Sequence, residues 1–148
     1  MSDKTVLSIQ DIVQETGYHH NTFRPARATI KLPVKIILTL ISEIEGRGER
    51  RSYSLCSSPY IDDNLSVTVK GVKGGKMSNH LNNNVKVGDA MAVLPPMGNF
   101  KFNPENTQRH IILIGGGSGI TPLFSIIKST LLKEPYDTPY LLDNFLLN

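Results

Sequence analysis

RRSYSLCSSP, residues 50–59, sets two arginines beside a tyrosine, fills most other positions with hydroxyl or thiol side chains, and ends at a proline. On a strand, Arg51, Tyr53 and Leu55 share one face, and Ser52, Ser54 and Cys56 share the other. A guanidinium can grip a pyrophosphate through two parallel bonds, and a phenol ring can stack on a planar heterocycle. The first face therefore suits a dinucleotide with a flat head group. The same residues on an edge strand would be two solvated arginines and a tyrosine resting on the core, and spacing alone leaves both readings open.

Two glycine-rich stretches could hold anions. GGGSGITP, residues 115–122, joins an apolar run to a helical pattern. Its glycines allow positive φ and close backbone approach, and the first turn of the following helix offers unpaired N–H groups to a phosphate or a nicotinamide nucleotide. Gly115, Gly117 and Gly119 do not spell G-x-G-x-x-G, because Ile120 stands where the third glycine would be, and no P-loop lysine follows. GVKGGKMSNHL, residues 71–81, places Lys76, Met77 and Ser78 after paired glycines. It reads either as a loop of donors opening a helix or as an ordinary turn with a solvated lysine. The four histidines lack carboxylate or cysteine companions at metal-ligand spacing, so no metal site is expected. Cys56 reads as a buried structural thiol, and no nucleophile triad or acid–base pair emerges.

These stretches need elements to position them. TVLSIQDIV near the start and VKIILTLI at 34–41 are short and rich in β-branched residues, so they read as strands. LSVTVKGV alternates, with Leu65, Val67 and Val69 facing one way and Ser66, Thr68 and Lys70 the other. VKVGDAMAVLPP reads as a Gly-Asp turn and a strand that stops at its two prolines. Closely spaced short strands over the first hundred residues favour a barrel or sandwich. The polar run 103–109 reads as a boundary, after which HIILI is expected to be a strand buried on both faces. Thr121 is the expected N-cap of the next helix, with Pro122 at its first position, Leu123, Ile126, Ile127, Thr130 and Leu131 on its apolar face, and Pro135 as its stop.

The chain has 148 residues, 39% of them hydrophobic and 20% charged, enough for one core and a second small lobe. Its net charge of +3 is spread too thinly for a nucleic-acid footprint. One cysteine can form no internal disulfide and cannot alone hold an iron–sulfur cluster. No apolar run reaches membrane-spanning length and the N-terminus lacks a signal-peptide pattern, so a soluble, cytoplasmic protein with neither membrane nor nucleic-acid partner is expected.

Taken in order, the motifs resemble the ferredoxin-NADP reductase superfamily. RSYSL is similar to its Arg-x-Tyr-Ser flavin motif, GGKMSNHL to its second flavin-contacting stretch, PPMGNF to the turn closing its barrel, and GGGSGITP to its nicotinamide-side loop. The wording is similar to the reductase component of phenylacetate degradation and related hydroxylase reductases. The resemblance covers most of 43–134 and implies a mainly β fold: a six-stranded antiparallel Greek-key barrel over 1–104 that binds FAD, and an incomplete α/β nucleotide-binding lobe over 110–148. It further implies that Arg51 contacts the FAD pyrophosphate, that Tyr53 packs on the isoalloxazine, and that Ser54 bonds near the flavin's reactive edge. Leu55, Val69 and Lys70 would line the flavin. Gly75, Lys76, Met77 and Ser78 would bracket its pyrophosphate, and Gly116, Gly117, Ser118, Thr121 and Pro122 would lie on the NAD(P)H side.

The activity so implied is an NAD(P)H-dependent flavin oxidoreductase passing electrons to an iron–sulfur acceptor. The alternative is a catalytically silent flavin-binding or assembly module. Two departures from the family stand out: KLPVKIILTL lacks the Pro-Gly-Gln-aromatic motif, and the nucleotide lobe stops after one strand and one helix. The tail YDTPYLLDNFLLN does not match the family's continuation, so Leu141, Leu142, Phe145, Leu146 and Leu147 are expected to pack on the barrel or across a homodimer, or to stay exposed.

Overall fold

The computed structural model describes residues 4–14, 20–25, 36–100, 102–103, 105, 109–134 and 138–143. It is mainly β and built on an antiparallel sheet. Strands β1 (Thr5–Gln14), β2 (His20–Pro25), β3 (Ile37–Ile44), β4 (Arg47–Ser54), β5 (Val67–Lys70) and β6 (Ala90–Met97) form six strands in the order β4-β3-β6-β1-β2-β5. All five neighbouring pairs are antiparallel. The two outer strands meet where Leu55 bridges Val67 and the Cys56 amide donates to the Ser66 carbonyl at 2.9 Å. Alternation places Leu7 and Ile9 of β1, Leu38 and Leu40 of β3, Val67 and Val69 of β5, and Met91 and Val93 of β6 in one buried cluster. Helix α1 (Lys76–Asn83) covers one end of that cluster with Met77 and Leu81.

β6 runs on through Pro95 and Pro96 to Met97 instead of stopping at the prolines. Its register against β3 shifts between Thr39↔Leu94 and Ile37↔Met97, so both prolines face the single residue Leu38. A bulge requires no ladder N–H there, which is how a strand accommodates proline.

The second unit contains strand β7 (His110–Gly115), a 3₁₀ turn at Gly117–Gly119, helix α2 (Ile120–Lys133) and strand β8 (Thr138–Asp143) parallel to β7. The tail thus supplies a strand that the sequence reading does not foresee. Leu113 and Leu141 pack toward Leu123 and Ile126 of α2, together with Ile36 and Phe102 from the first unit.

Three expectations need correction. β7 is not buried on both faces: Ile112 and Ile114 are 63% and 74% exposed, because α2 covers only the opposite side of the two-strand sheet. Thr121 is not the N-cap. The helix starts at Ile120, Gly119 caps it, and the Thr121 hydroxyl turns back to donate to the Ser118 carbonyl at 2.6 Å. Leu131 is exposed, while Ser125, Ser129 and Thr130 are buried, so the inner face of α2 is more polar than its hydropathy suggests. His19, Phe145, Leu146 and Leu147 lie outside the described residues. Among the described residues no helix is long and apolar enough to cross a membrane, and no group of three metal-ligating side chains gathers.

Candidate functional site

Register fixes the arginine–tyrosine pair. β4 lies against β3 with Tyr53 opposite Leu38 and Arg51 opposite Leu40, so both side chains leave the sheet on its core face. Tyr53 stops half-buried at the margin of the cluster, and Leu55, two residues on, is inside it. Arg51 is longer and reaches water; its side chain is 58% exposed and lies 3.3 Å from the Glu49 carboxylate on the same face. Its Nη1 also donates to the Arg50 carbonyl at 2.6 Å. Burial raises the pKa of the Tyr53 hydroxyl, and the Arg51 charge partly opposes that rise. The opposite face is polar, with the Ser52 and Thr39 hydroxyls 2.9 Å apart. Half-buried Ser54 ends the strand.

Helix α1 is pinned across this region. Lys76 in its first turn reaches Glu45 of the β3–β4 turn at 3.1 Å, and His80 meets the Ser42 hydroxyl at 3.1 Å. α1 also touches β4 and β5. The amides of Lys76, Met77 and Ser78 have no carbonyl one turn back within the helix, so they and the dipole favour an anion at this end. The preceding loop fixes this end of the helix through its own hydrogen bonds. Gly75 N–H donates to the Val72 carbonyl at 2.9 Å, and the Asn79 side-chain amide to the same carbonyl at 3.0 Å. The Ser78 hydroxyl accepts from Val72 N–H at 3.2 Å. A Cβ on Gly75 would stand 2.6 Å from the Ser78 Oγ and 3.2 Å from the Val72 oxygen, so only glycine fits this cradle. Met77 is buried in the core, and the Ser78 hydroxyl is taken up by its own loop, so both can offer a ligand only their amides. Val69 is likewise wholly buried, and Lys70 is exposed. The donor set of an exposed guanidinium, a lysine and a free helix start, beside an aromatic ring, fits a pyrophosphate bound to a flat heterocycle.

The glycine loop belongs to the second sheet. Gly116 is extended, Gly117 has φ +56°, and Gly119 N–H closes the 3₁₀ turn on the Gly116 carbonyl at 3.0 Å. Ser118 is exposed, and Thr121 and Pro122 are half-buried in the first turn of α2. A Cβ on Gly115 would come within 2.6 Å of Leu123 Cδ1, so β7 and α2 pack closely where the loop leaves the strand.

The sequence reading missed what joins the two units. Ser57 and Ser58, just past the arginine–tyrosine strand, bond to Ser125 and Ser129 of α2. The available signal was two serines at i, i+4 on the inner face of an otherwise apolar helix.

Cys56 sits between these regions, donating to the Ser66 carbonyl at 3.3 Å and accepting from the Thr68 hydroxyl at 3.6 Å. Burial raises its pKa, with the Thr68 bond and the Lys128 charge opposing the rise. Less thiolate is then present at any pH near 8 than on a free thiol. Alkylation by iodoacetamide at pH 8 is expected to run slower than for free cysteine; an equal rate would contradict the half-buried, hydrogen-bonded placement, which is less enclosed than the expected buried thiol.

Residues 4–102 match the family described as oxidoreductase FAD-binding domain. The E component of 1,2-phenylacetyl-CoA epoxidase from Escherichia coli K12 is 38% identical over 99 residues, which are 66% of this chain and 28% of that protein. The ferredoxin reductase component of 3-ketosteroid-9-alpha-monooxygenase from Rhodococcus rhodochrous is 48% identical over 83 residues, 56% of this chain and 23% of that one. The chain therefore spans about a quarter of the length of these relatives. Among solved structures, a ferredoxin NADP+ reductase from Neisseria gonorrhoeae with bound FAD and NADP superposes with a TM-score of 0.80 at 21% identity, covering 97% of this chain and 58% of that one. With two thirds of its residues inside the family match, and the arginine–tyrosine strand and the glycine-started helix within that part, the chain belongs to the oxidoreductase FAD-binding domains of the ferredoxin-NADP reductase type.

Proposed function

We propose that this chain holds FAD between β4 and α1 and presents it to a nicotinamide nucleotide at the glycine loop, as part of a reductase that passes electrons from NAD(P)H to an iron–sulfur acceptor. In this reading the six-stranded sheet, joined at its outer strands through Leu55 and Val67, is a Greek-key flavin barrel spanning 1–104, and 110–148 belong to a nucleotide-binding lobe. The observation that carries it is that α1, the helix started at Gly75, touches both β4, whose core face bears Arg51 and Tyr53, and β5.

FAD, when bound, supplies two-electron acceptance from a nicotinamide and one-electron release to a metal-centre partner. The protein's part is to bind and orient. Arg51, itself 58% exposed, would turn from the partly buried Glu49 carboxylate to the pyrophosphate. The amides of Lys76, Met77 and Ser78 receive the same anion, and Lys76 adds its charge. Tyr53 stays a neutral phenol, because burial opposes its ionisation, and offers its ring to the flavin beside Leu55 and the end of β5 at Val69 and Lys70. Ser54 ends β4 and alternates to the face opposite Tyr53, so in this reading its hydroxyl would reach the flavin's reactive edge from the rim of the strand, with Tyr53 the other residue assigned to the chemistry. Gly116, Gly117 and Ser118, with Thr121 and Pro122, give the nicotinamide side a surface with few side chains in the way.

The relatives serve oxygenases, one as part of an epoxidase and one as a monooxygenase reductase component, which supports an iron–sulfur or similar one-electron partner. Freshly purified protein is expected to be yellow or to take up FAD stoichiometrically, and anaerobic NADH or NADPH to bleach it. Colourless protein that retains no added FAD on gel filtration would refute the flavin reading, whereas FAD uptake without bleaching would limit this chain to cofactor binding.

A further inference from the structure

A dry seam of hydroxyl groups runs between the flavin strand's exit and α2. The Ser125 hydroxyl donates to the Ser57 carbonyl at 2.7 Å. The Ser129 hydroxyl donates its one proton to the Ser125 carbonyl at 2.7 Å, so in the 2.9 Å contact between Ser58 and Ser129 it is Ser58 that donates. Ser58 Oγ in turn accepts from Tyr60 N–H at 3.2 Å. The result is a directional chain, Tyr60 N–H to Ser58 to Ser129 to the Ser125 carbonyl, in which Ser58 is 1% and Ser129 0% exposed. At its rim Asp62 accepts from Ser58 N–H at 2.7 Å and from the Lys128 ammonium at 3.0 Å.

Apolar packing tolerates a helix that slides or rotates slightly, whereas buried hydroxyls do not, because each displaced donor or acceptor is stranded away from water. If α2 rotated by one residue, Ile126 would replace Ser125 before the Ser57 carbonyl and strand it, and Thr130, with its extra methyl group, would replace Ser129 against Ser58. Because β7 packs so closely on Leu123 at Gly115, α2 carries the glycine loop with it. The seam begins three residues beyond Ser54, at the end of the arginine–tyrosine strand.

We infer that Ser58 and Ser129 are positioning residues that set the gap between the flavin strand and the nicotinamide loop. This rests on the function proposed above for the two ends of that gap.

The test uses the full chain with Ser58→Ala, Ser129→Ala and their double variant. In hydrogen–deuterium exchange on FAD-free protein, each single change is expected to speed exchange of amides 116–121 at least about fivefold, with Lys76–Ser78 unchanged and the double variant no worse than either single. In the FAD-loaded protein, FAD affinity should stay within about twofold while the Kd for the non-reducing oxidised nucleotide (NAD+ or NADP+), read by the change in flavin fluorescence, rises about fivefold. Exchange that rises equally at 76–78 and 116–121, or FAD and oxidised-nucleotide affinities that fall together, would show the seam to be merely structural and overturn the inference. If Ser129→Ala fails to fold, Lys128→Met at the half-exposed rim should move amides 116–121 in the same direction by about twofold, and no change there would also overturn it. A chain that takes up no FAD would sink the flavin reading, while the FAD-free exchange would still judge the seam.

Discussion

Arg51→Ala is expected to weaken FAD binding roughly tenfold to a hundredfold, with little change in the stability of the FAD-free protein. Charge-assisted bonds to a phosphate contribute about 1.5–3 kcal/mol, and each 1.4 kcal/mol is a factor of about ten. The side chain is 58% exposed, so water offsets part of the gain, which places the effect in the lower part of that range. The stability cost is modest, since Arg51 itself reaches water and its folded-state partners are the partly buried Glu49 and its neighbour's carbonyl. Arg50 supplies the control. It carries the same charge one residue away but projects from the opposite face of β4, so Arg50→Ala should leave affinity within about twofold at matched ionic strength. Arg51→Lys should fall between wild type and Arg51→Ala, keeping the charge but losing the two-pronged geometry. Fluorescence titration of FAD reads all three. Equal losses at positions 50 and 51 would mean that general positive potential holds the cofactor, and no loss at 51 would remove the arginine from the site.

The face of β4 was legible in the sequence because alternation has a period of two and one side of the strand is buried; once Leu55 is inside, Tyr53 and Arg51 must follow. The Lys76–Asn83 helix was legible for a similar reason, since Gly-Gly before Lys-Met-Ser marks a helix start in purely local terms. What escaped is set by partners distant in the chain. HNTFRP carries a histidine and a proline and has no strand pattern of its own, yet it is held extended by β1 on one side and β5 on the other. TPYLLD becomes a strand by lying parallel to HIILIG, and its Pro139 is tolerated because an edge strand has N–H groups to spare. Hydropathy predicted a doubly buried HIILI and an inward Leu131, but one helix can cover only one face of the two strands. The serine seam was least visible, because small hydroxyl residues look alike on a surface and in a dry interface until their partners are known.

The largest effect on folding is expected at the other junction between the units. Glu134, at the end of α2, has a side chain only 2% exposed. It gathers the connecting segment onto one carboxylate, accepting from Arg109 Nε at 3.2 Å, from Arg109 Nη2 at 2.9 Å and from Glu105 N–H at 2.6 Å. Arg109 also stacks over the Phe102 ring at 5.5 Å and donates to the Asn103 carbonyl at 3.1 Å. A carboxylate at a helix C-terminus is opposed by the helix dipole, so the arginine and the amide are what hold it there. Glu134→Ala should cost about 2–4 kcal/mol in urea unfolding, below the full cost of breaking a buried pair because Arg109, 30% exposed, can recover water. Glu134→Gln preserves the shape but turns an amide donor toward the guanidinium, so it should lie close to alanine instead of to wild type. Arg109→Ala should destabilise in the same direction, since among the described residues it leaves the buried carboxylate the Glu105 backbone N–H as its donor. A loss of less than about 0.5 kcal/mol for Glu134→Ala, the range of ordinary surface substitutions, would show that apolar packing of Phe102, Leu113 and Leu123 suffices to dock the connecting segment, and that the ion pair only decorates it.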